Sequence, residues 1–132
     1  MNTQKDTLLS AARTAYTQAY APYSHYQVGA AVLSKDERIF SGCNVENAVY
    51  PLTICAERVA ITKAVSEGAR HILAVAVVTR NGGTPCGSCR QVIHEFAVDD
   101  NIPIWVADTE GHTHTFTLGQ LLPHSFSNTD LV

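Results

Sequence analysis

The stretch that decides the fold runs from Cys55 to Cys89 and has the sequence CAERVAITKAVSEGARHILAVAVVTRNGGTPCGSC. Its first third carries alanine and valine residues at helical spacing, which predicts an amphipathic helix. Thr53, just upstream, is a suitable N-cap residue, and Gly68 is a suitable residue to end the helix. The cysteine at position 55 therefore lies in the first turn of a predicted helix.

A strand and a second helix follow within the same stretch. The β-branched run from Ile72 to Thr79 is typical of a strand that is buried on both faces. The glycines that follow predict a loop. Thr84 and Pro85 predict the N-cap and first turn of a helix that extends to about Phe96. The order of helix, strand and helix indicates an α/β protein.

Further elements on both sides extend this pattern. Helical periodicity predicts a helix over about residues 3–20, and a last helical turn over residues 118–122. Four more segments are predicted strands, at about residues 26–33, 38–45, 102–107 and 113–117. We therefore expect one domain over residues 1–132, built on a mixed five-stranded sheet that helices cover on both faces.

Composition limits the classes of function. The 132 residues carry a net charge of −3, and no cluster of basic residues suggests nucleic acid as a partner. The N-terminus lacks the apolar segment of a signal peptide, and the longest apolar run, residues 72–78, is too short to cross a membrane. We expect a soluble, cytoplasmic protein, in which four cysteines favour metal binding or catalysis over disulfides.

Three of these cysteines and one glutamate form the candidate reactive group. Cys86 and Cys89 are three residues apart and share one helix face, while Cys55 lies at the start of the other helix. Three protein ligands leave the fourth position of a zinc ion open, which distinguishes catalytic from structural zinc. Glu57 is two positions from a ligand and is placed to act as general base and then general acid. The sequence therefore predicts a catalytic zinc site.

The charge of such a site has to be offset. A zinc ion with three thiolates is net negative, which makes it a weak Lewis acid. The two predicted helix N-termini contribute partial positive charge. Arg58 and Arg90 are each adjacent to a site residue, and either can donate hydrogen bonds to thiolate sulfur. We favour Arg58 for this role.

Two other interpretations of the cysteines remain open at this point. Cys86 and Cys89 alone are typical of a thioredoxin-type redox pair, but that interpretation gives Cys55 and Glu57 no role. A closed structural zinc site would also need Cys43, which lies in a predicted strand and is more typical of a buried free cysteine.

With these residues in place, the chain resembles the small homotetrameric cytidine deaminases from about Tyr23 to Leu131. The zinc motifs of the resemblance are CAER at residues 55–58 and PCGSCRQV at residues 85–92. The more discriminating motif is GCNVENA at residues 42–48. The resemblance implies a three-layer α-β-α fold, one zinc ion per chain, and a homotetramer with shared active sites.

The resemblance also implies roles in substrate binding. Asn44 and Glu46 are implied to bind the ribose hydroxyls, and their spacing on a strand places both side chains on the same side. The backbone of Ala56 is implied to meet the base. Tyr26 is implied to pack on the base, at a position where relatives usually have phenylalanine.

The resemblance further implies contacts between subunits and a specific reaction. Phe126 is implied to reach into a neighbouring subunit's site, and Tyr50 to contact across an interface. The implied reaction is zinc-dependent hydrolytic deamination of cytidine and deoxycytidine to uridine and deoxyuridine plus ammonia, in pyrimidine salvage. One alternative is deamination of a modified cytosine nucleoside such as a blasticidin-type antibiotic, against which the intact NVEN segment argues. Another is a zinc-stabilised binding module without catalysis, in which Glu57 would be dispensable.

Overall fold

The computed structural model describes residues 2–131. Its helices are α1 (Asn2–Tyr16), α2 (Ala56–Ser66), α3 (Gly87–Phe96) and α4 (Leu118–Leu121), with single 3₁₀ turns at Tyr50–Leu52 and Asn128–Leu131. Its strands are β1 (Val28–Ser34), β2 (Ile39–Cys43), β3 (Ile72–Thr79), β4 (Pro103–Ala107) and β5 (Thr113–Thr117). Within this range, no helix combines the length and the apolar character needed to cross a lipid bilayer.

The strands form one mixed sheet in the order β2-β1-β3-β4-β5. Neighbouring strands are antiparallel except β3 and β4, which are parallel and are connected through α3. Val28 pairs with Thr79, and Gly29 pairs with Cys43. The start of β1 and the ends of β2 and β3 therefore lie at one edge of the sheet, from which the chain continues toward α2 and α3.

Alternating residues of the strands face two cores on opposite sides of the sheet. On one side, α1 packs Leu8, Leu9 and Ala12 against strand residues that include Ala31 and Val78. On the other side, α2, α3 and α4 cover a larger core, whose fully buried members include Val32, Ile61, Val75, Val77, Ile93, Ile104 and Leu118. The expected α/β fold, with a mixed five-stranded sheet between layers of helices, is confirmed.

The α1 backbone lies directly on β1 at Gly29. A Cβ atom at this position would lie 2.1 Å from the carbonyl oxygen of Ala12 and 2.4 Å from the backbone nitrogen of Tyr16. Real Cβ atoms do not approach backbone atoms so closely, so the absence of a side chain at Gly29 sets the distance between this helix and the sheet.

Three helix boundaries predicted from the sequence are wrong, and tertiary contacts explain each error. The first helix ends at Tyr16 because Tyr20 hydrogen-bonds through its backbone to Asn44 and Glu46. Cys55, rather than Thr53, is the N-cap residue of α2, because residues 45 and 54 pair as a β-bridge that keeps the chain extended. Cys86, rather than Thr84, is the N-cap residue of α3, since the Thr84 hydroxyl accepts a hydrogen bond from Arg90.

Candidate active site

Three cysteine side chains meet at the edge of the sheet where β2 and β3 end. Cys55 precedes α2, Cys86 precedes α3, and Cys89 lies in the first turn of α3. Their sulfur atoms all lie within 4.8 Å of one another, and the Sγ atoms of Cys86 and Cys89 are 3.4 Å apart. Sulfur ligands about 2.3 Å from one tetrahedral zinc ion lie about 3.8 Å apart. The group therefore has the dimensions of a three-thiolate zinc site.

The thiols of this group differ in acidity. A hydrogen bond from Cys89 lowers the pKa of Cys55 to about 5, against the effect of partial burial and with help from Arg58. The same hydrogen bond, together with burial, raises the pKa of Cys89 above its ordinary value. The N-termini of α2 and α3 add partial positive charge at the same place. A thiolate is thus favoured at Cys55 before any cation binds.

Arg58 is the arginine that contacts a sulfur atom of the group. Its Nη2 atom lies 3.8 Å from Cys55 Sγ and 3.2 Å from the carbonyl oxygen of Thr53. Its Nε atom is buried and lacks a hydrogen-bond partner among the described residues, which leaves one donor unused. Arg90 instead donates to the carbonyl oxygens of Pro85 and Leu121. The two arginines therefore have different surroundings, although each is adjacent in sequence to a site residue.

The group contains no fourth ligand from the described part of the chain. Cys43 is half-buried at the end of β2 and is not among the clustered sulfur atoms. All four cysteines are free thiols, so Cys86 and Cys89 are not joined as a disulfide. A metal ion at this group would keep an open coordination position, as catalytic zinc requires.

Glu57 lies beside the sulfur atoms and is only 4% exposed. Burial raises the pKa of its carboxyl to about 7, and the negative charge of Cys55 acts in the same direction. Its own backbone N–H and Arg58 act in the opposite direction. A carboxyl group with a pKa near neutrality can both accept and donate a proton at physiological pH.

A cavity of about 290 Å³ opens in front of this group. Its volume is at the lower end of the range for small-molecule sites. Most of the residues predicted to form the site line its wall: Tyr26, Asn44, Glu46, Tyr50, Cys55, Ala56, Glu57 and Cys86. Phe126 lies elsewhere, with 57% of its surface exposed, and its carbonyl oxygen accepts a hydrogen bond from Gln91 of α3.

Asn44 and Glu46 are buried in the cavity wall and hold the segment that leads into β1. Asn44 accepts a hydrogen bond from the backbone of Val28 at 2.9 Å and donates to the carbonyl oxygen of Tyr26 at 2.8 Å. Glu46 accepts from the backbone of Tyr23 and from Ser24. Burial alone raises the pKa of Glu46, but these hydrogen bonds together hold it below its ordinary value. Glu46 is therefore a carboxylate at neutral pH.

Some cavity residues were not identified from the sequence. Thr79, at the end of β3, and Gly83, in the loop that follows, line the cavity. Asn81 of the same loop accepts a hydrogen bond from the hydroxyl of Tyr26 at 2.7 Å. Only the position of this loop before the PCGSC motif signalled that it lies near the site.

A second cluster of possible metal ligands lies on the surface hairpin between β4 and β5. It consists of Asp108, Glu110 and His112. Asp108 accepts hydrogen bonds from the backbone of Glu110 and His112 and from the His112 ring, and these lower its pKa despite the opposing effect of desolvation. The contacts of a tight turn account for this grouping.

Similarity to known proteins covers nearly the whole chain. A cytidine deaminase of Sporosarcina psychrophila is 45% identical over 128 residues, which is 96% of this chain and 93% of the relative. A cytidine deaminase of Halalkalibacterium halodurans is 43% identical over 129 residues, covering 96% of this chain and 97% of the relative.

Solved structures and a family model agree with these relatives. The crystal structure of cytidine deaminase from Burkholderia pseudomallei superimposes with a TM-score of 0.86 at 42% identity, and covers 92% of this chain and 98% of that chain. The structure of the Mycobacterium tuberculosis cytidine deaminase gives a TM-score of 0.78 at 39% identity, over 92% and 96% of the two chains. The family model for the cytidine and deoxycytidylate deaminase zinc-binding region matches residues 2–104. The chain therefore belongs to the cytidine and deoxycytidylate deaminase family of zinc enzymes.

Proposed function

We propose that this chain catalyses the hydrolytic deamination of cytidine and deoxycytidine to uridine and deoxyuridine, with release of ammonia, as a step of pyrimidine salvage. The observation that carries the proposal is the position of Glu57, a buried carboxyl group in the wall of a cavity beside three clustered thiols. A structural zinc site or a binding module has no use for a buried proton carrier at this place.

Cys55, Cys86 and Cys89 are the residues that would hold the zinc ion. Their spacing, the low pKa of Cys55 and the adjacent Arg58 guanidinium fit a divalent cation with soft ligands. When bound, zinc supplies a Lewis acid that activates water for attack on the base.

Glu57 would move the protons of the reaction. As a carboxylate it accepts a proton from the attacking water and delivers it to the ring nitrogen. It then accepts the second proton of that water, from the new hydroxyl group at the attacked carbon, and delivers it to the departing amine as the C–N bond breaks. Ammonia is a poor leaving group unless the nitrogen is protonated, so the same group has to act as base and then as acid. A pKa of about 7 suits both roles.

Asn44 and Glu46 would bind the sugar. Both line the cavity and both are largely buried, and Glu46 is held as a carboxylate by its hydrogen bonds. Each carboxylate oxygen has two lone pairs, so Glu46 can accept from ribose hydroxyls while it keeps its contacts to Ser24 and the backbone. Tyr26 and the backbone of Ala56 would contact the base from the same cavity.

The active enzyme would be a homotetramer in which neighbouring chains complete each site. Large apolar side chains are exposed near the cavity mouth, at Val49, Tyr50, Leu52 and Ile54, and Phe126 is exposed on the C-terminal segment. Exposed apolar clusters of this kind are typical of protein–protein interfaces. In this proposal Phe126 enters the site of a neighbouring subunit.

We further propose that the chain works as a single domain in the cytoplasm. One sheet joins all five strands, and both cores pack on it. The three-thiolate site needs reduced cysteines, which a reducing compartment maintains. The net charge of −3 argues against a polynucleotide substrate.

The test is an ultraviolet assay with cytidine and deoxycytidine on three proteins whose zinc content is measured. These are the wild type, Glu57→Gln, and Glu67→Gln, which changes an exposed glutamate just after the same helix. We expect the wild type and Glu67→Gln to be active and Glu57→Gln to lose nearly all activity while it keeps its zinc. An inactive but zinc-loaded wild type would favour a modified nucleoside or a binding module.

Shared sites are tested by mixing subunits. Phe126→Ala and Glu57→Gln chains should each be nearly inactive alone. After joint denaturation and refolding, hybrids contain sites with an intact Glu57 from one chain and an intact Phe126 from another, so activity should return. No recovery in hybrids whose mixed composition is verified by mass spectrometry would contradict a shared site.

A further inference from the structure

The hydroxyl group of Tyr26 is bound within the protein and does not face the cavity freely. It donates a hydrogen bond to Oδ1 of Asn81 at 2.7 Å. A Cβ atom added at Gly83 would lie 2.7 Å from the same hydroxyl oxygen, so the backbone of Gly83 closes around it. The Tyr26 hydroxyl therefore ties the aromatic wall of the cavity to the loop at residues 80–83.

Three more contacts hold this arrangement in place. Thr79, which is buried, donates to Asn81 Oδ1 at 3.4 Å and accepts a hydrogen bond from the backbone of Gly83 at 2.8 Å. The guanidinium of Arg80 lies over the Tyr26 ring, 5.1 Å from its centroid, at a distance that gives a cation–π attraction. The ring is thus fixed at its hydroxyl end by Asn81 and on one face by Arg80.

The tied loop leads directly into the metal-site motif. Residues 80–84 connect β3 to Pro85 and Cys86, and Tyr26, Thr79 and Gly83 all line the cavity. Without the tie, the ring and the loop would each keep rotational freedom that a bound base would have to remove. A wall that is already fixed lowers the entropy lost on binding.

We propose that Tyr26 and Asn81 form a positioning pair that sets the affinity of the site for its nucleoside. The inference rests on the function proposed above and adds a residue, Asn81, that does not line the cavity and acts on the substrate only through Tyr26. A fixed wall touches the base equally in the ground state and in the transition state. Loss of the tie therefore raises KM while kcat changes far less.

The experiment is a double-mutant cycle on the zinc-loaded enzyme, with cytidine as substrate. Tyr26→Phe removes the hydroxyl but keeps the ring, Asn81→Leu removes the acceptor, and the double variant removes both. A single hydrogen bond is worth about three- to tenfold, so each single variant should raise KM by that factor. The double variant should raise KM little beyond Asn81→Leu alone, because both changes remove the hydrogen bond between Tyr26 and Asn81.

Two additional variants separate positioning from a general loss of structure. Asn81→Asp keeps an oxygen acceptor for the Tyr26 hydroxyl and should retain a KM within about twofold of the wild type. Tyr16→Phe removes a hydroxyl on α1 that has no hydrogen-bond partner within residues 2–131, and should leave KM unchanged. Additive effects of the two single variants, or an Asn81→Asp variant that behaves as Asn81→Leu, would overturn the proposal.

Amide hydrogen exchange without substrate gives a second readout that does not depend on catalysis. The peptide spanning residues 80–86 should exchange faster in Tyr26→Phe and Asn81→Leu, and at the wild-type rate in Tyr16→Phe. Unchanged exchange in the first two variants would refute the tie. If exchange is faster in these two variants but the wild type itself has no activity on cytidine, the tie stands and only the proposed function is refuted.

Discussion

Nη2 of Arg58 lies 3.8 Å from Sγ of Cys55, the residue three positions earlier in the chain. This contact places a fixed positive charge against the thiolate that forms most readily in the cluster. Hydrogen bonds from such neighbours reduce electron donation by a ligand and tune the metal that it holds.

Replacing Arg58 by a neutral residue should lower the catalytic efficiency of the enzyme. In Arg58→Gln we expect kcat/KM to fall about 10- to 100-fold, the usual effect of losing a partner of a metal ligand. The measurement is kcat/KM with cytidine at a fixed and verified zinc content, beside Arg70→Gln, which changes an exposed arginine. A fully active Arg58→Gln enzyme would show that the helix N-termini offset the thiolate charge without help.

Arg90 should matter for stability rather than for the charge of the site. Its guanidinium donates to the carbonyl oxygens of Pro85 and Leu121 at 2.7 Å each, and so joins the start of α3 to the end of α4. We expect Arg90→Gln to lower the free energy of unfolding by about 1.5–3 kcal/mol, measured by urea denaturation. A variant that lost activity with no change in its unfolding midpoint would contradict this division of roles.

Gly29→Ala should be among the most damaging single changes in the chain. The new methyl group would lie 2.1 Å from the carbonyl oxygen of Ala12, so α1 has to move away from the sheet. We expect a loss of about 3 kcal/mol or more in the free energy of unfolding. Gly119→Ala is the control, because its added Cβ would lie 3.4 Å from the nearest atom. Equal stability of the two variants would disprove the tight approach of helix and strand.

The raised pKa of Glu57 predicts that the stability of the protein depends on pH. Its pKa is about 7 in the folded protein and near 4.5 when exposed, so the folded state keeps a proton that the unfolded state releases. The stabilisation of the fold by this protonated group is fully present below pH 4.5 and is lost as the pH rises through 7. Each pKa unit corresponds to about 1.4 kcal/mol. The free energy of unfolding of Glu57→Gln should therefore rise by on the order of 3 kcal/mol relative to that of the wild type as the pH increases between these limits.

This comparison is made on reduced, chelator-treated protein, because a bound cation changes the electrostatic surroundings of the carboxyl. Urea unfolding of wild type and variant is followed at several pH values from 4.5 to 8. A constant difference in unfolding free energy across this range would show that Glu57 is not protonated preferentially in the fold.

Local sequence patterns were enough to predict the helices and strands and the cluster of Cys55, Cys86 and Cys89. The β-branched run of β3 and the spacing of Cys86 and Cys89 specify a strand and a helix face from neighbouring residues alone. Cys55 could be added because both helices had to begin at the same edge of one sheet.

Contacts between distant segments could not be predicted in the same way. The start of α2 depends on the β-bridge between Val45 and Ile54, and no property of Thr53 itself reveals it. The hydrogen bond from Tyr26 to Asn81 joins residues 55 positions apart, and Asn81 in sequence is an ordinary loop residue. Such pairs depend on how the loops lie over the finished sheet.

The segment at residues 21–27 has no helix or strand of its own, and it is held by side chains of the cavity wall on one side and by the loop at residues 80–83 on the other. Glu46 and Asn44 bind its backbone, and Asn81 binds the hydroxyl group of Tyr26. Occupancy of the cavity and resistance of this segment to proteases are therefore thermodynamically linked. A nucleoside that engages these side chains protects the segment from cleavage, so limited proteolysis would report ligand binding even in a variant that cannot turn it over.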